Sequence, residues 1–229
     1  MSQFFTRSRK IVAIGRNYAD HAKELGNAIP KEPFFFLKPP SSLVASPGTV
    51  EIPKDVEVHH EVELAVIIGT GGRDIPASKA LDHVAGYAVA FDLTARNVQD
   101  EAKRDRLPWT KAKGFDTFAP IGKFIPKEQV NDPSSLRLWC TVDGQVRQQG
   151  PTSDMIHPVS ALISFASSIV TLQPDDIILT GTPSGVGAVT PGQILKGGLE
   201  APDGQGGWKT LDEIEFECVR RPGDGRYGW

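Results

Sequence analysis

The sequence predicts an α+β fold with a strand-rich core. Segments with the composition and spacing of strands lie at 61–68, 86–92, 137–142, 177–181 and 213–219. Helices are predicted only at about 94–105 and 158–170 in this part of the chain. Because few long helices separate the strands, an α+β arrangement is favoured over a doubly wound parallel sheet.

Composition limits the classes of function. The chain has 229 residues, of which 39% are hydrophobic and 23% charged, as in an ordinary globular protein. The net charge of −3 gives no indication of nucleic-acid binding. No run approaches the 18 apolar residues of a membrane span. Cys140 and Cys218 lie in apolar surroundings, which favours buried, reduced thiols and a reducing compartment, either the cytoplasm or the mitochondrial matrix.

The N-terminal part of the chain combines a strand, a short helix and a second strand. A helix is predicted over 16–26, with Asn17 as its N-cap and Gly26 as its stop. The segment 44–58 is rich in turn residues and is interpreted as a hinge. We therefore expect an N-terminal segment over 1–50 and the main domain over 51–229, which together behave as one domain.

Two glutamates open the most apolar strand of the sequence, HHEVELAVIIG at 59–69. With a strand period of two, Glu61 and Glu63 point to one face together with His59. The same spacing occurs in DEIEFECV at 212–219, where the glutamates form the wet face of an amphipathic strand. After Glu63, however, both faces are apolar, which indicates a buried strand whose acidic end opens into a cavity. A metal site and a solvated strand end both remain open on this evidence.

A third carboxylate ends a neighbouring small and apolar run, GYAVAFD. Asp92 shares a strand face with Ala88 and Ala90, which leaves space around it. It could equally cap the following helix, as could Thr94. If the three carboxylates do form a site, an all-oxygen ligand set favours Mg²⁺ or Mn²⁺ over zinc.

Six motifs in one order give the sequence a specific resemblance. They are GRNYADHAKELG, FFFLKP, HHEVELAVIIG, YAVAFDLTARNVQ, LPWTKAKGFDTFAPIG and ILTGTPSGVG. This set resembles the fumarylacetoacetate hydrolase superfamily, and within it the small single-domain acylpyruvase and oxaloacetate decarboxylase branch. The resemblance implies a mixed β-sandwich roll, a homodimer, and Mg²⁺ or Mn²⁺ bound by Glu61, Glu63 and Asp92.

The resemblance also assigns roles to residues that periodicity leaves ambiguous. His21 and Glu24 share one face of the short helix and by themselves could be an exposed polar surface. The resemblance implies a water-activating dyad on a lid helix. It implies that Lys113, otherwise an ordinary snorkelling lysine, faces the substrate. Four further residues match substrate-binding positions: Arg16, Arg96, Gln99 and Thr182.

The resemblance implies cleavage of a C–C bond in a small 2-oxo acid. The substrate would be an acylpyruvate, hydrolysed to pyruvate and a carboxylic acid, or oxaloacetate, which would lose CO₂. The alternatives are a 2-oxo acid isomerase or hydratase and, less favoured, a binding module without catalysis. TGTPSGVG is not a phosphate loop, because it lacks the Gly-Lys-Ser/Thr ending. A Gly-rich loop is expected at 197–210 and a loose tail at 220–229.

Overall fold

A computed structural model describes residues 4–24 and 30–223 of the chain. Its strands are β1 Ile11–Ile14, β2 Phe35–Lys38, β3 Leu43–Ala45, β4 Gly48–Ile52, β5 Val58–His60, β6 Val62–Ile68, β7 Val84–Phe91, β8 Thr94–Ala95, β9 Ala119–Ile121, β10 Ile125–Pro126, β11 Arg137–Val142, β12 Gln145–Pro151, β13 Ile177–Leu179, β14 Gly187–Val189, β15 Ile194–Pro202 and β16 Trp208–Arg220. Its α-helices are α1 Phe4–Arg7, α2 Ala19–Glu24, α3 Arg96–Arg104, α4 Thr110–Lys113 and α5 Val159–Ile169.

The described strands form three sheets, of which two are mixed and the smallest is antiparallel. The largest runs β2-β1-β13-β6-β7-β9-β3, with β10 also paired to β7. A second sheet runs β12-β11-β15-β16-β4, and a small third sheet runs β14-β5-β8. Strands thus dominate, and the predicted α+β fold is confirmed.

Strand β6 is buried on both faces, as its continuous apolar run predicts. Val62, Leu64 and Val66 join the main core cluster, together with residues of the second sheet such as Leu138 and Phe216. Alternate residues of β6 and β7 belong to a second cluster on the opposite face, rich in alanine. Glu61, Glu63 and Asp92 continue this alanine-rich face by the two-residue period of a strand.

Strand pairing decides where the acidic residues meet. In the antiparallel ladder of β6 and β7, Val62 lies opposite Phe91 and Glu63 opposite Ala90. One step further, the Asp92 N–H donates to the Glu61 carbonyl at 2.9 Å. The two carboxylates that open β6 and the one that follows β7 are therefore brought to the same end of the sheet.

The helix predicted over 16–26 is present, but its predicted N-cap is wrong. Helix α2 begins at Ala19. Asn17 is buried, and its side-chain amide donates to the carbonyls of His157 and Thr180 while its oxygen accepts the His157 N–H. The predicted stop, Gly26, lies outside the described residues. Thr94 and Asp92 do not cap α3 either, since Ala95 is its N-cap residue.

The glycine-rich loop predicted at 197–210 is largely a hairpin of β15 and β16. Gly197 and Gly198 lie inside β15. A Cβ on Gly197 would approach Phe91 Cζ to 2.9 Å, and a Cβ on Gly198 would approach Trp139 Cε2 to 2.2 Å. Glycine at these positions therefore leaves space for two aromatic rings and does not indicate a flexible loop. The segment 44–58, interpreted above as a hinge, contains most of β3, all of β4 and the first residue of β5. Of the predicted tail, residues 224–229 lie outside the described part of the chain.

Both cysteines are free and buried, which confirms the prediction made from their apolar surroundings. Burial raises the pKa of the Cys218 thiol to about 12 and that of Cys140 still further, so both favour the neutral thiol. Across the described residues, no helix is both long enough and apolar enough to cross a bilayer.

Candidate active site

One cavity collects most of the residues that the sequence singles out. Its lining includes nine predicted site residues: Arg16, His21, Glu61, Glu63, Asp92, Arg96, Gln99, Lys113 and Thr182. Phe36, Lys103 and Trp109 also line it. The remaining predicted residue, Glu24, is not part of this lining but lies next to His21.

Three buried carboxylates form the floor of this cavity. Glu61, Glu63 and Asp92 each offer one oxygen, and these oxygens lie within 4.8 Å of one another. Their exposed fractions are 7%, 1% and 1%, so water screens them poorly. Carboxylates this close repel each other unless cations or protons lie among them.

Positively charged side chains compensate two of the three carboxylates. Lys113 Nζ donates to Glu61 Oε2 at 2.9 Å and to Asp92 Oδ2 at 2.6 Å. Arg96 donates to Glu61 Oε1 at 2.8 Å, and Lys38 Nζ donates to Asp92 Oδ1 at 2.7 Å. Burial by itself would raise the pKa of Glu61, but Lys113 and Arg96 outweigh burial and lower it well below its usual range.

Glu63 has a different environment. Its Oε2 accepts the uncharged N–H of Gly181 at 2.7 Å. Burial, followed by the negative charges of Asp92 and Glu61, raises the pKa of Glu63 well above its usual value. A divalent cation among the three carboxylates would remove this repulsion.

The ligand set fits a hard cation. All three groups are carboxylates, and each has two oxygens with several lone pairs, so Lys113 and a metal can be bound at once. Oxygen-only coordination is typical of Mg²⁺ and Mn²⁺. The group could therefore hold a metal ion.

A family comparison decides what kind of protein carries this site. The sequence model for the fumarylacetoacetate (FAA) hydrolase C-terminal domain matches residues 10–220. The chain belongs to the fumarylacetoacetate hydrolase family. The resemblance drawn from its motifs is thus confirmed, and the protein is an enzyme of that family.

Named members of the fumarylacetoacetate hydrolase family are close in sequence. The mitochondrial oxaloacetate decarboxylase of Dictyostelium discoideum is 56% identical over 223 residues, which are 96% of this chain and 99% of that protein. The mitochondrial oxaloacetate tautomerase FAHD1 of Arabidopsis thaliana is 53% identical and covers 96% of each chain.

Solved structures of the family share the fold. The yeast protein ynq8 matches over the full length of both chains, with a TM-score of 0.89 and 40% identity. Fumarylpyruvate hydrolase from Pseudomonas aeruginosa, solved with Mn²⁺ and pyruvate, has a TM-score of 0.84 and 38% identity, and the match covers 93% of this chain and 91% of that one.

His21 and Glu24 meet at the rim of the cavity. His21 is 5% exposed, and its Nδ1 lies 3.5 Å from Glu24 Oε2. Glu24 is more exposed and also accepts the Gly185 N–H at 3.1–3.2 Å. Burial lowers the pKa of His21, although Glu61 and Glu24 act in the opposite direction. A neutral imidazole within the cavity can act as a proton acceptor.

Arginines and an amide line the cavity beside the carboxylates. Arg96 Nη1 donates to Gln99 Oε1 at 2.5 Å, so one guanidinium contacts both Gln99 and Glu61. Its Nε lies 3.4 Å from His59 Nδ1, which places His59 behind Arg96 rather than in the ligand set. Arg16 adopts φ of 56° and lies over the Phe34 ring at 5.7 Å.

Thr182 lines the cavity, but its hydroxyl already has two partners. It donates to the Val62 carbonyl at 2.7 Å and accepts from Gln148 Nε2 at 2.7 Å. A substrate carboxylate could accept this hydroxyl proton only if the hydroxyl rotated away from Val62. The substrate-binding role of Thr182 stays a prediction.

The structure adds to the site two residues whose role there is not predicted from the sequence. Lys38 is 1% exposed and donates to Asp92 and to the Leu93 carbonyl. Thr94 donates its hydroxyl to Glu61 Oε1 at 2.7 Å. A lysine that ends the apolar run FFFLK was a usable signal for Lys38, since lysine is seldom buried without an acidic partner.

Proposed function

We propose that the protein is a metal-dependent enzyme that forms the enolate of a small 2-oxo acid, with oxaloacetate as its principal substrate. The observation that supports this most directly is a single cavity lined by three buried carboxylates, by the cationic side chains of Lys113, Arg96 and Arg16, and by a neutral histidine. The names of the two close relatives support oxaloacetate. Cleavage of the C3–C4 bond would release CO₂ from oxaloacetate, or a carboxylic acid from an acylpyruvate after addition of water.

The metal site would supply the electrostatic part of this chemistry. Mg²⁺ or Mn²⁺ at Glu61, Glu63 and Asp92 would stabilise negative charge that develops on the substrate's 2-oxo oxygen. Lys113 keeps an ammonium group in the same place, because Asp92 and Glu61 outweigh the effect of burial and raise its pKa. Its positive charge would attract an anionic substrate and stabilise the negative charge of the enolate.

The remaining residues would bind and orient the substrate. Arg16, Arg96 and Gln99 offer N–H donors in the cavity, and guanidinium groups suit the planar geometry of carboxylates. With Nδ1 of His21 directed at Glu24, its Nε2 would take a proton from water during hydrolysis. In decarboxylation CO₂ leaves directly, and the enolate needs only to regain a proton at C3.

Tautomerisation of oxaloacetate is the second candidate. It moves one proton between C3 and the 2-oxo oxygen and breaks no C–C bond, so a single buried base such as His21 suffices. The Arabidopsis relative is named an oxaloacetate tautomerase, which favours this reaction. Both reactions pass through the same enolate, and the same site could support both.

Product analysis would separate these reactions. We expect NMR of oxaloacetate with the enzyme and Mg²⁺ or Mn²⁺ to show faster keto–enol exchange, pyruvate formation, or both, and EDTA to remove the effect. Acetylpyruvate in parallel would report C–C hydrolysis through acetate. Equal rates with and without EDTA would contradict the metal assignment. If the enzyme accelerated neither keto–enol exchange, nor decarboxylation of oxaloacetate, nor hydrolysis of acetylpyruvate, the proposed function would be wrong.

We also propose a homodimer, as the family resemblance implies. Support comes from an exposed apolar surface around Phe34–Leu37 and Leu107–Thr110, where Leu37 and Leu107 are 42% and 59% exposed. Light scattering after gel filtration is expected to give twice the 24.8 kDa chain mass. A mass equal to one chain at micromolar concentration would contradict it.

The names of two relatives bear on the compartment. Both named relatives are described as mitochondrial, which supports the mitochondrial matrix over the cytoplasm for this protein. Subcellular fractionation would test this proposal.

A further inference from the structure

A buried glutamine outside the cavity contacts two segments that form it. Gln148 of β12 is 1% exposed. Its Oε1 accepts the Val62 N–H at 3.1 Å and lies 2.8 Å from His60 Nδ1. Its Nε2 donates to Thr182 Oγ1 at 2.7 Å and to the Pro183 carbonyl at 2.8 Å. All the hydrogen-bonding capacity of this amide is thus directed at the active-site segments.

The first segment is the backbone between two candidate metal ligands. Val62 separates Glu61 from Glu63, so its two peptide groups fix the directions in which both carboxylates point. Gln148 binds the Val62 N–H, and Thr182, itself held by Gln148, binds the Val62 carbonyl. The amide therefore restrains this residue from both sides.

The second segment is the 180–185 loop, which follows β13 and contacts both halves of the site. The Gly181 N–H donates to Glu63, and the Gly185 N–H donates to Glu24. Both glycines have a positive φ of 94°, a conformation that fixes the N–H directions and that other residues rarely adopt. Moving this loop would move a donor to a metal ligand and a donor to the dyad together.

The packing of β12 shows how closely this loop is held. A Cβ on Gly150 would approach the Pro183 Cβ to 2.7 Å, and a Cβ on Gly185 would approach the Arg147 carbonyl oxygen to 2.0 Å. The loop thus lies against β12 on both sides of Gln148.

We propose that Gln148 is a positioning residue, which joins the Glu61–Glu63 segment to the 180–185 loop and keeps both in register with the cavity. This proposal rests on the proposed metal site. Outer-shell partners of metal ligands commonly change metal affinity or activity by about 10–100-fold when replaced.

The test is Gln148→Met, which keeps the side-chain length and charge but removes every hydrogen bond of the amide. Mn²⁺ binding, measured by electron paramagnetic resonance without substrate, is expected to weaken by about 10-fold or more, and kcat on oxaloacetate to fall. Gln149→Met is the matched control, because Gln149 is the adjacent, exposed residue of the same strand. It should bind Mn²⁺ like the wild type.

A second variant covers the case in which Gln148→Met does not fold. Gly150→Ala removes no polar group but pushes on Pro183, and it should also weaken Mn²⁺ binding and lower kcat. A folded Gln148→Met or Gly150→Ala protein with the Mn²⁺ affinity and kcat of Gln149→Met would overturn the positioning role. Absence of Mn²⁺ binding by the wild type would instead overturn the metal site, and the role of Gln148 with it.

Discussion

Replacing Glu61 by Gln is expected to abolish decarboxylation and hydrolysis together. The substitution removes a candidate metal ligand, and a bound metal supplies several kcal/mol of stabilisation to developing charge. Since ~1.4 kcal/mol corresponds to a factor of ten in rate, the loss should be at least about 100-fold. The amide N–H₂ would also face Lys113 on one side, or Arg96 and Thr94 on the other, where donors now meet a carboxylate.

Glu215→Gln is the matched control for this experiment. Glu215 lies on the exposed face of β16 and pairs with Lys196 at 2.5 Å. It belongs to a run of glutamates with the same two-residue spacing as Glu61 and Glu63, but on a solvated strand face. Surface pairs of this kind contribute little, so activity should be unchanged. Steady-state kinetics on oxaloacetate and acetylpyruvate, with calorimetric titration of Mn²⁺, would measure both variants. Wild-type kcat and Mn²⁺ affinity in Glu61→Gln would refute the assignment of Glu61 as a ligand.

The acidic part of the site could be predicted because its information is local. Alternation along one strand places Glu61 and Glu63 on the same face, and Ala88 and Ala90 provide the space for Asp92. Pairing of β6 with β7 then needs only the standard antiparallel ladder to bring the three together. In the structure the three carboxylates do lie together, as the sequence predicts.

The basic part could not be predicted in the same way, because its contacts are long-range. Lys38, at the end of β2, binds Asp92 across 54 residues of sequence, although β1, β13 and β6 lie between β2 and β7 in the sheet. Nothing in the local pattern of FFFLKP specifies that pairing. Gln148 is more remote still, since it acts from a different sheet at a separation of 86 residues from Val62.

Asn17 shows why a correct propensity can give a wrong assignment. Asparagine is favoured at N-caps because its short amide bonds nearby backbone groups. The same property lets it bind the backbone of His157 and Thr180, at separations of 140 and 163 residues, when tertiary structure brings them close. The residue still performs the chemistry that its type suggests, but for a distant backbone.

Replacing His21 by Ala is expected to damage hydrolysis of acetylpyruvate much more than decarboxylation of oxaloacetate. Hydrolysis needs a base to activate water, and general-base catalysis is typically worth about 10²–10⁴-fold. Decarboxylation breaks the C3–C4 bond without an attacking water, and its enolate can regain a proton from solvent. The three carboxylates, Lys113 and Arg96 are untouched by this change, so stabilisation of the enolate should persist.

His83→Ala serves as the control, because His83 bonds the Thr70 carbonyl at 2.7 Å, outside the cavity lining, and should leave both rates intact. Parallel assays of acetate from acetylpyruvate and of CO₂ from oxaloacetate would give the ratio of the two losses. An equal fall in both would remove His21 from the role of water activator and make it a general determinant of substrate binding or of the shared enolate step. In that case keto–enol exchange of oxaloacetate should fall by the same factor, since proton transfer at C3 would then depend on the same imidazole.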